Sequence, residues 1–113
     1  GAFVYTAEEL DVPVERSEES AGPVYPEALR TQNLEGEVIA EWVVDTTGGA
    51  DTASFRVLST THPLFGVAVR DVLPRMRFRP ASLGGHRVRQ LVRQQFRFQI
   101  EPRTVAAAPR DTA

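Results

Sequence analysis

The sequence predicts a small α+β domain, and three observations predict it. Residues 87–100 alternate polar and mainly apolar side chains over fourteen positions, the period of a strand. Residues 37–45 and 53–59 alternate in the same way on either side of the turn-forming run Thr46-Thr47-Gly48-Gly49, as a hairpin does. Leu64, Phe65, Ala68, Val69, Val72, Leu73 and Met76 recur at three- and four-residue intervals, which is the stripe of an amphipathic helix.

The elements follow in chain order as helix, strand, strand, helix, strand. Tyr25-Pro26 opens a short helix over residues 27–33, because proline suits the first helical turn, and Gly36 ends it. In the first hairpin strand Val38, Ala40, Trp42 and Val44 share the inner face, and in the second Phe55 and Val57 point inward. Pro63 starts the second helix after Thr60-Thr61-His62. Pro74 should end it near Leu73, since proline lacks an amide hydrogen and clashes with the preceding turn. Phe78-Arg79-Pro80-Ala81 then leads through Gly84-Gly85 into the last strand. One face of that strand carries Val88, Gln90, Val92, Gln94, Phe96, Phe98 and Ile100. The other carries Arg87, Arg89, Leu91, Arg93, Gln95, Arg97 and Gln99. At roughly 3.3 Å per residue it reaches on the order of 45 Å, so it is expected to overhang its neighbours. The predicted core is Trp42, Val44, Phe55, Val57, Phe65, Val69, Val72, Phe78, Phe96 and Phe98.

A chain of 113 residues, 42% hydrophobic, allows one small domain with flanking segments. Residues 1–22 read as an extended acidic leader, 23–101 as the domain and 102–113 as an extended Ala-rich tail. Both flanks lack core-forming residues and are expected to be disordered when the domain is alone. No run of about 18 apolar residues crosses a bilayer, and no signal-peptide pattern opens the chain. Gly1 is not an initiator methionine. The chain is therefore expected to be a processed or excised portion, associated with a membrane through partners or through a missing N-terminal anchor. The absence of cysteine excludes disulfides, thiol catalysis and thiolate metal sites.

Charge is unevenly distributed along the chain. Residues 1–51 hold twelve acidic side chains against Arg16 and Arg30, whereas residues 70–100 hold eight arginines against Asp71. All thirteen basic residues are arginine. That bias fits codon drift in a GC-rich genome, with the two halves pairing across the fold. It also fits an arginine surface for an acidic partner or lipid headgroups, since guanidinium forks pair with carboxylate and phosphate better than lysine does.

Little here supports chemistry. His62 and His86 are the only histidines and lack ligand spacing, so no metal or cofactor is expected; they suit a helix start and a turn. Glu8, Glu9, Glu18 and Glu19 form a solvated run with nothing apolar to shift a pKa toward acid–base work. Ser59, Thr60 and Thr61 precede a helix without an activating base and read as capping residues. Gly48-Gly49 and Gly84-Gly85 lack the strand, glycine-rich turn, helix and lysine of a phosphate loop. The acidic first half opposes nucleic acid. No catalytic residue, and no enzyme, is expected.

An ordered series of motifs carries a resemblance. Pro23-Val24-Tyr25-Pro26-Glu27-Ala28-Leu29, Leu34-Glu35-Gly36-Glu37-Val38 and Val43-Val44-Asp45 with Gly48-Gly49 come first. Val57-Leu58-Ser59-Thr60-Thr61-His62-Pro63-Leu64-Phe65, Val67-Ala68-Val69, Phe78-Arg79-Pro80-Ala81, Gly84-Gly85 and Phe96-Arg97-Phe98 follow. Over residues 23–100 this resembles the TonB C-terminal domain family. The resemblance implies a two-helix, three-stranded antiparallel α+β domain in the periplasm, at the membrane surface. It further implies pairing of an edge strand with a short peptide of an outer-membrane receptor, in transmitting force from proton-motive partners. Carried over by position, the pairing edge is the last strand, with Arg87, Arg89, Leu91, Arg93, Gln95, Arg97 and Gln99 on its polar face. The alternative expectation is a TonB-like fold recruited as a membrane-extrinsic structural subunit that clamps a large membrane complex, such as a photosynthetic reaction centre with its light-harvesting ring.

Overall fold

In the computed structural model, residues 3–100 are described. The chain runs β1 (Val4–Tyr5), a 3-10 turn (Ala7–Glu9), β2 (Glu15–Arg16), α1 (Glu27–Arg30), β3 (Gly36–Val44), β4 (Ala50–Thr60), α2 (Pro63–Val72), a second 3-10 turn (Leu73–Arg75), β5 (Phe78–Arg79), β6 (Ala81–Leu83) and β7 (His86–Phe98). Three long strands, β3, β4 and β7, make the body of the sheet, in the order β1-β7-β3-β4. β6 folds back on β7, and β2 pairs separately with β5. The class is α+β, with short strands added to the three expected.

β3 is central because its alternation buries one whole face: Val38, Ala40, Trp42 and Val44 are each fully buried. It pairs with β4 on one side and with β7 on the other, both antiparallel. α2 lies across that face with Phe65, Val69 and Val72 inward, one stripe at helical spacing. Two aromatic clusters fill the space between helix and sheet. Trp42 lies about 6 Å from Phe55, Phe78 and Phe96, while Phe65 stacks on Phe98 at 4.5 Å with Tyr25 edge-on to both. Leu73 and Met76 close the end of the layer.

Local chemistry explains the boundaries. His62 caps α2, its Nδ1 accepting from the Leu64 amide at 3.1 Å, with Pro63 next in the chain. The expected Ser and Thr caps are placed differently: Thr60 Oγ1 donates to the His62 carbonyl, and Thr61 Oγ1 accepts from the Glu37 amide, tying the helix start to β3. Pro74 converts the end of α2 to a 3-10 turn. α1 is shorter than expected; the chain leaves it through turns, and Asn33 adopts a left-handed φ of 57°. Gly84 and Gly85 are both left-handed, at 59° and 81°, the twist a two-residue hairpin turn needs between β6 and β7.

Two expectations are corrected. Val57, placed in the core by alternation, is 38% exposed. The register of β4 slips beside it, where Ile39 pairs with Ser59 but Ala40 with Val57, and the helix residue facing it is Gly66, which has no side chain to cover it. The leader is also not separate from the core. Val14 and Ala21 pack against it, and residues 11–17 pair by backbone with residues 77–82. The tail expected over residues 102–113 lies outside the described residues.

Candidate protein-docking edge

A sheet edge docks another strand through unpaired backbone groups, so the question is which edges are open and straight. Of the three long strands, β4 and β7 are the outer two. β4 makes a poor template. Its register with β3 shifts twice, between Ile39 and Ala40 and between Glu41 and Val43, and at the second shift a side chain replaces the ladder: the Val43 amide donates to Ser54 Oγ. Bulges of this kind twist an edge away from further pairing.

β7 is different. It pairs with β3 through nine consecutive residues, from Gly36 opposite Phe98 to Val44 opposite Gln90, without a shift. On its other edge β1 lies parallel, Val4 opposite Arg89 and Tyr5 opposite Gln90. Because Gln90 pairs with Val44 as well as with Tyr5, β1 and β3 flank it from opposite sides. β6 takes up residues 86–88. Beyond Gln90, over residues 91–98, that outer edge has no strand partner among the described residues.

The two faces flanking the open edge differ in character. On the outer face β3 offers Glu37 and Glu41 to β7's Arg97 and Arg93 in register. Glu41, with its side chain only 12% exposed, is held between Arg93 at 3.3 Å and Arg56 of β4 at 3.6 Å. Arg89 reaches Asp51 at 3.6 Å, and Gln95 Nε2 donates to Glu37. Arg87 and Arg97 have no carboxylate partner among the described residues. The expected offset between the acidic first half and the arginines therefore forms across β3, yet leaves cationic charge along β7. On the inner face Phe96 and Phe98 are buried and Val92 is half-buried. Leu91, expected among the polar set, is half-buried opposite Val43, and Gln99 is exposed past the strand's end.

At the head of the open edge, a groove of about 530 Å³ is bounded by the leader's Thr6, Ala7, Glu8, Pro13 and Val14 and by Glu41 and β7's Gln90, Leu91, Val92 and Arg93. Gln90, 95% buried, turns its Oε1 to the Val14 amide at 2.8 Å. Sequence reasoning missed these leader residues; their one signal is the β-prone run Phe3-Val4-Tyr5. A second, more apolar groove of about 470 Å³ lies between Val24, Tyr25 and Pro26 and the outer face of α2 at Leu64 and Val67. Among the described residues no group of metal-ligating side chains converges, and no helix is long and apolar enough to cross a membrane.

A helix-backed sheet with three long strands, one of them straight and partly open at its edge, has the architecture of a small protein-interaction domain. Comparison with known proteins specifies the family. The family described as Gram-negative bacterial TonB protein C-terminal matches residues 21–100, and the chain belongs to it. The chain is also similar to the solution NMR structure of the Pseudomonas aeruginosa TonB CTD, with 27% identity and a TM-score of 0.67, over 83% of this chain and 93% of that one. No curated protein matches it. Domains of this family are periplasmic, non-enzymatic modules of energy transduction that bind proteins such as outer-membrane receptors.

Proposed function

We propose that this chain is a periplasmic protein-binding domain that pairs the outer edge of β7, over residues 91–98, with an extended segment of a partner such as an outer-membrane receptor peptide. The observation that carries the reading is the contrast between the two outer strands: β7 is in unbroken register with β3 and open on its far side, whereas β4 is bulged. Backbone pairing supplies affinity at such an edge, and alternate side chains supply selection. The test is a titration of the isotope-labelled chain with synthetic extended peptides. Slowed amide exchange and shift changes should concentrate on residues 91–98. Changes confined to β4 or to α2 would refute the assignment.

A second reading, a membrane-extrinsic structural subunit clamping a large membrane complex, is favoured by the apolar groove. Val24 is 71% exposed and Val67 48%, and both line this groove, in which β7 takes no part. A clamp needs two contact faces, and the molecule offers two. Retention on isolated membranes in high salt, lost on Val67→Glu, supports this reading; release by salt alone refutes it.

A further inference from the structure

The leader lies at the head of the same edge that the proposed function assigns to a partner. Val4 and Tyr5 pair with β7 in parallel, and then the chain stops pairing. Thr6 and Glu9 close a capping box there, the Thr6 amide donating to Glu9 Oε1 at 2.8 Å, and the turn it caps sits beside Leu91 and Arg93 in the groove. Had the register continued, Glu8 would stand opposite Arg93. Glu8 and Arg93 line the groove together.

The leader's attachment is uneven. Its later half is fastened at several points: Asp11 Oδ2 accepts from the Gly84 amide at 2.8 Å, Val12 pairs with Ser82, and Glu15 meets Arg79 at 2.9 Å. Its first half is held by two residue pairs, with Phe3 77% and Val4 40% exposed. Peeling β1 away therefore costs little apolar burial and leaves the later half in place. The family match begins at residue 21, so this device lies outside the shared domain.

We infer that the leader's first ten residues compete with the partner strand for β7, and that this partner strand presents carboxylates on its outer face. The inference rests on the docking reading of β7. The charge requirement follows from Arg93 and Arg97, four residues apart and therefore on one face, about 13 Å from each other. Arg97 has no carboxylate partner among the described residues, and Arg93 keeps its side chain two-thirds exposed while holding Glu41. An incoming strand with acidic side chains at positions i and i+4 meets both. Its alternate, apolar side chains extend the inner face beside Val92 and Phe96.

The test uses the full chain and a full-length Val4→Pro/Tyr5→Pro variant, in which proline removes the amides β1 needs. The probes are a capped nine-residue peptide alternating Glu with Val and its Lys-for-Glu counterpart, followed by fluorescence anisotropy, with amide spectra to verify that the variant's changes stay near residues 3–10 and 88–93. The expected result is binding of the acidic peptide about tenfold tighter to the variant than to the unaltered chain, because releasing β1 frees the turn that crowds Leu91 and Arg93 and adds residues 89 and 90 to the open edge. The lysine peptide should bind at least about tenfold more weakly to both. Equal affinity for variant and unaltered chain overturns the competition while leaving the docking edge intact. Equal affinity for the two peptides overturns the charge requirement. If neither peptide binds either folded form, the docking reading itself fails. Should the double variant not fold, Thr6→Pro, which removes the amide that closes the capping box, must give the same gain.

Discussion

Gly36 is where the open edge is fastened to the helix layer, and Gly36→Ala tests how tightly. The backbone there is ordinary strand, so a methyl group is not resisted by φ; it is resisted by space. A Cβ on Gly36 would lie 2.0 Å from Thr61 Oγ1 and 2.6 Å from a ring carbon of Phe65. Neither neighbour can yield cheaply. Thr61 Oγ1 accepts from the Glu37 amide at 3.0 Å, a bond worth about 1 kcal/mol. Phe65 is 1% exposed and stacked on Phe98, and forcing such a side chain aside costs about 1–3 kcal/mol. Together the loss should be about 2–4 kcal/mol, and at about 4–8 °C per kcal/mol the melting temperature should fall on the order of 10–25 °C. Trp42, the only tryptophan and fully buried, reports unfolding in urea by fluorescence. Gly49→Ala is the control, since its nearest neighbour would be an ordinary 3.6 Å away, and it should cost less than about 0.5 kcal/mol. A Gly36→Ala loss no larger than the control's would refute the view that Thr61 and Phe65 are locked together over this strand end.

Three further outcomes are expected. The Thr47 hydroxyl, aided by backbone amides, holds Asp45 below the usual carboxylate range; its stabilising contribution is therefore present above the unfolded value of about 3.9 and is lost as pH falls through the lower folded value. Urea midpoints should thus decline below about pH 4, and Asp45→Asn should flatten part of that decline; an unchanged slope removes Asp45 from the account. Gln90→Ala leaves the Val14 amide without its acceptor at a cost of about 1–3 kcal/mol, visible as faster exchange at Val14, and unchanged exchange would show that Gln90 does not hold the leader. Arg97→Glu, on an exposed position, should change stability by less than about 0.5 kcal/mol yet weaken the acidic probe by roughly tenfold, and equal binding would remove Arg97 from the edge's selectivity.

How much of this was legible in the sequence depends on element length. β3, β4, α2 and β7 are long enough to display a period, and their centres were readable within a few residues of their observed bounds. β1, β2, β5 and β6 run two or three residues each, too short for any period, and their pairing is by backbone groups that all residues share. The leader's attachment was hidden for that reason: its composition is acidic and solvated, while its hold on the domain comes from amides, Asp11 and Glu15. Val57 lies on the inner face as alternation requires, opposite Ala40, but alternation does not show that the helix residue over it is Gly66, which leaves it partly uncovered. The arginines of β7 were legible as one face, whereas Leu91 is half-buried and Gln99 falls past the strand's end. That only its later part is open was not legible, since openness depends on where β1 and β6 end.

The unbroken ladder between β3 and β7 also has a mechanical meaning. Antiparallel hydrogen bonds run perpendicular to the strands, so a pull along β7 loads the bonds of all nine residue pairs in shear at once. No single bond carries the tension alone. β4, interrupted at two places, would instead come off in short pieces. A tether attached along β7 passes its load through that ladder into β3, the strand buried deepest in the core.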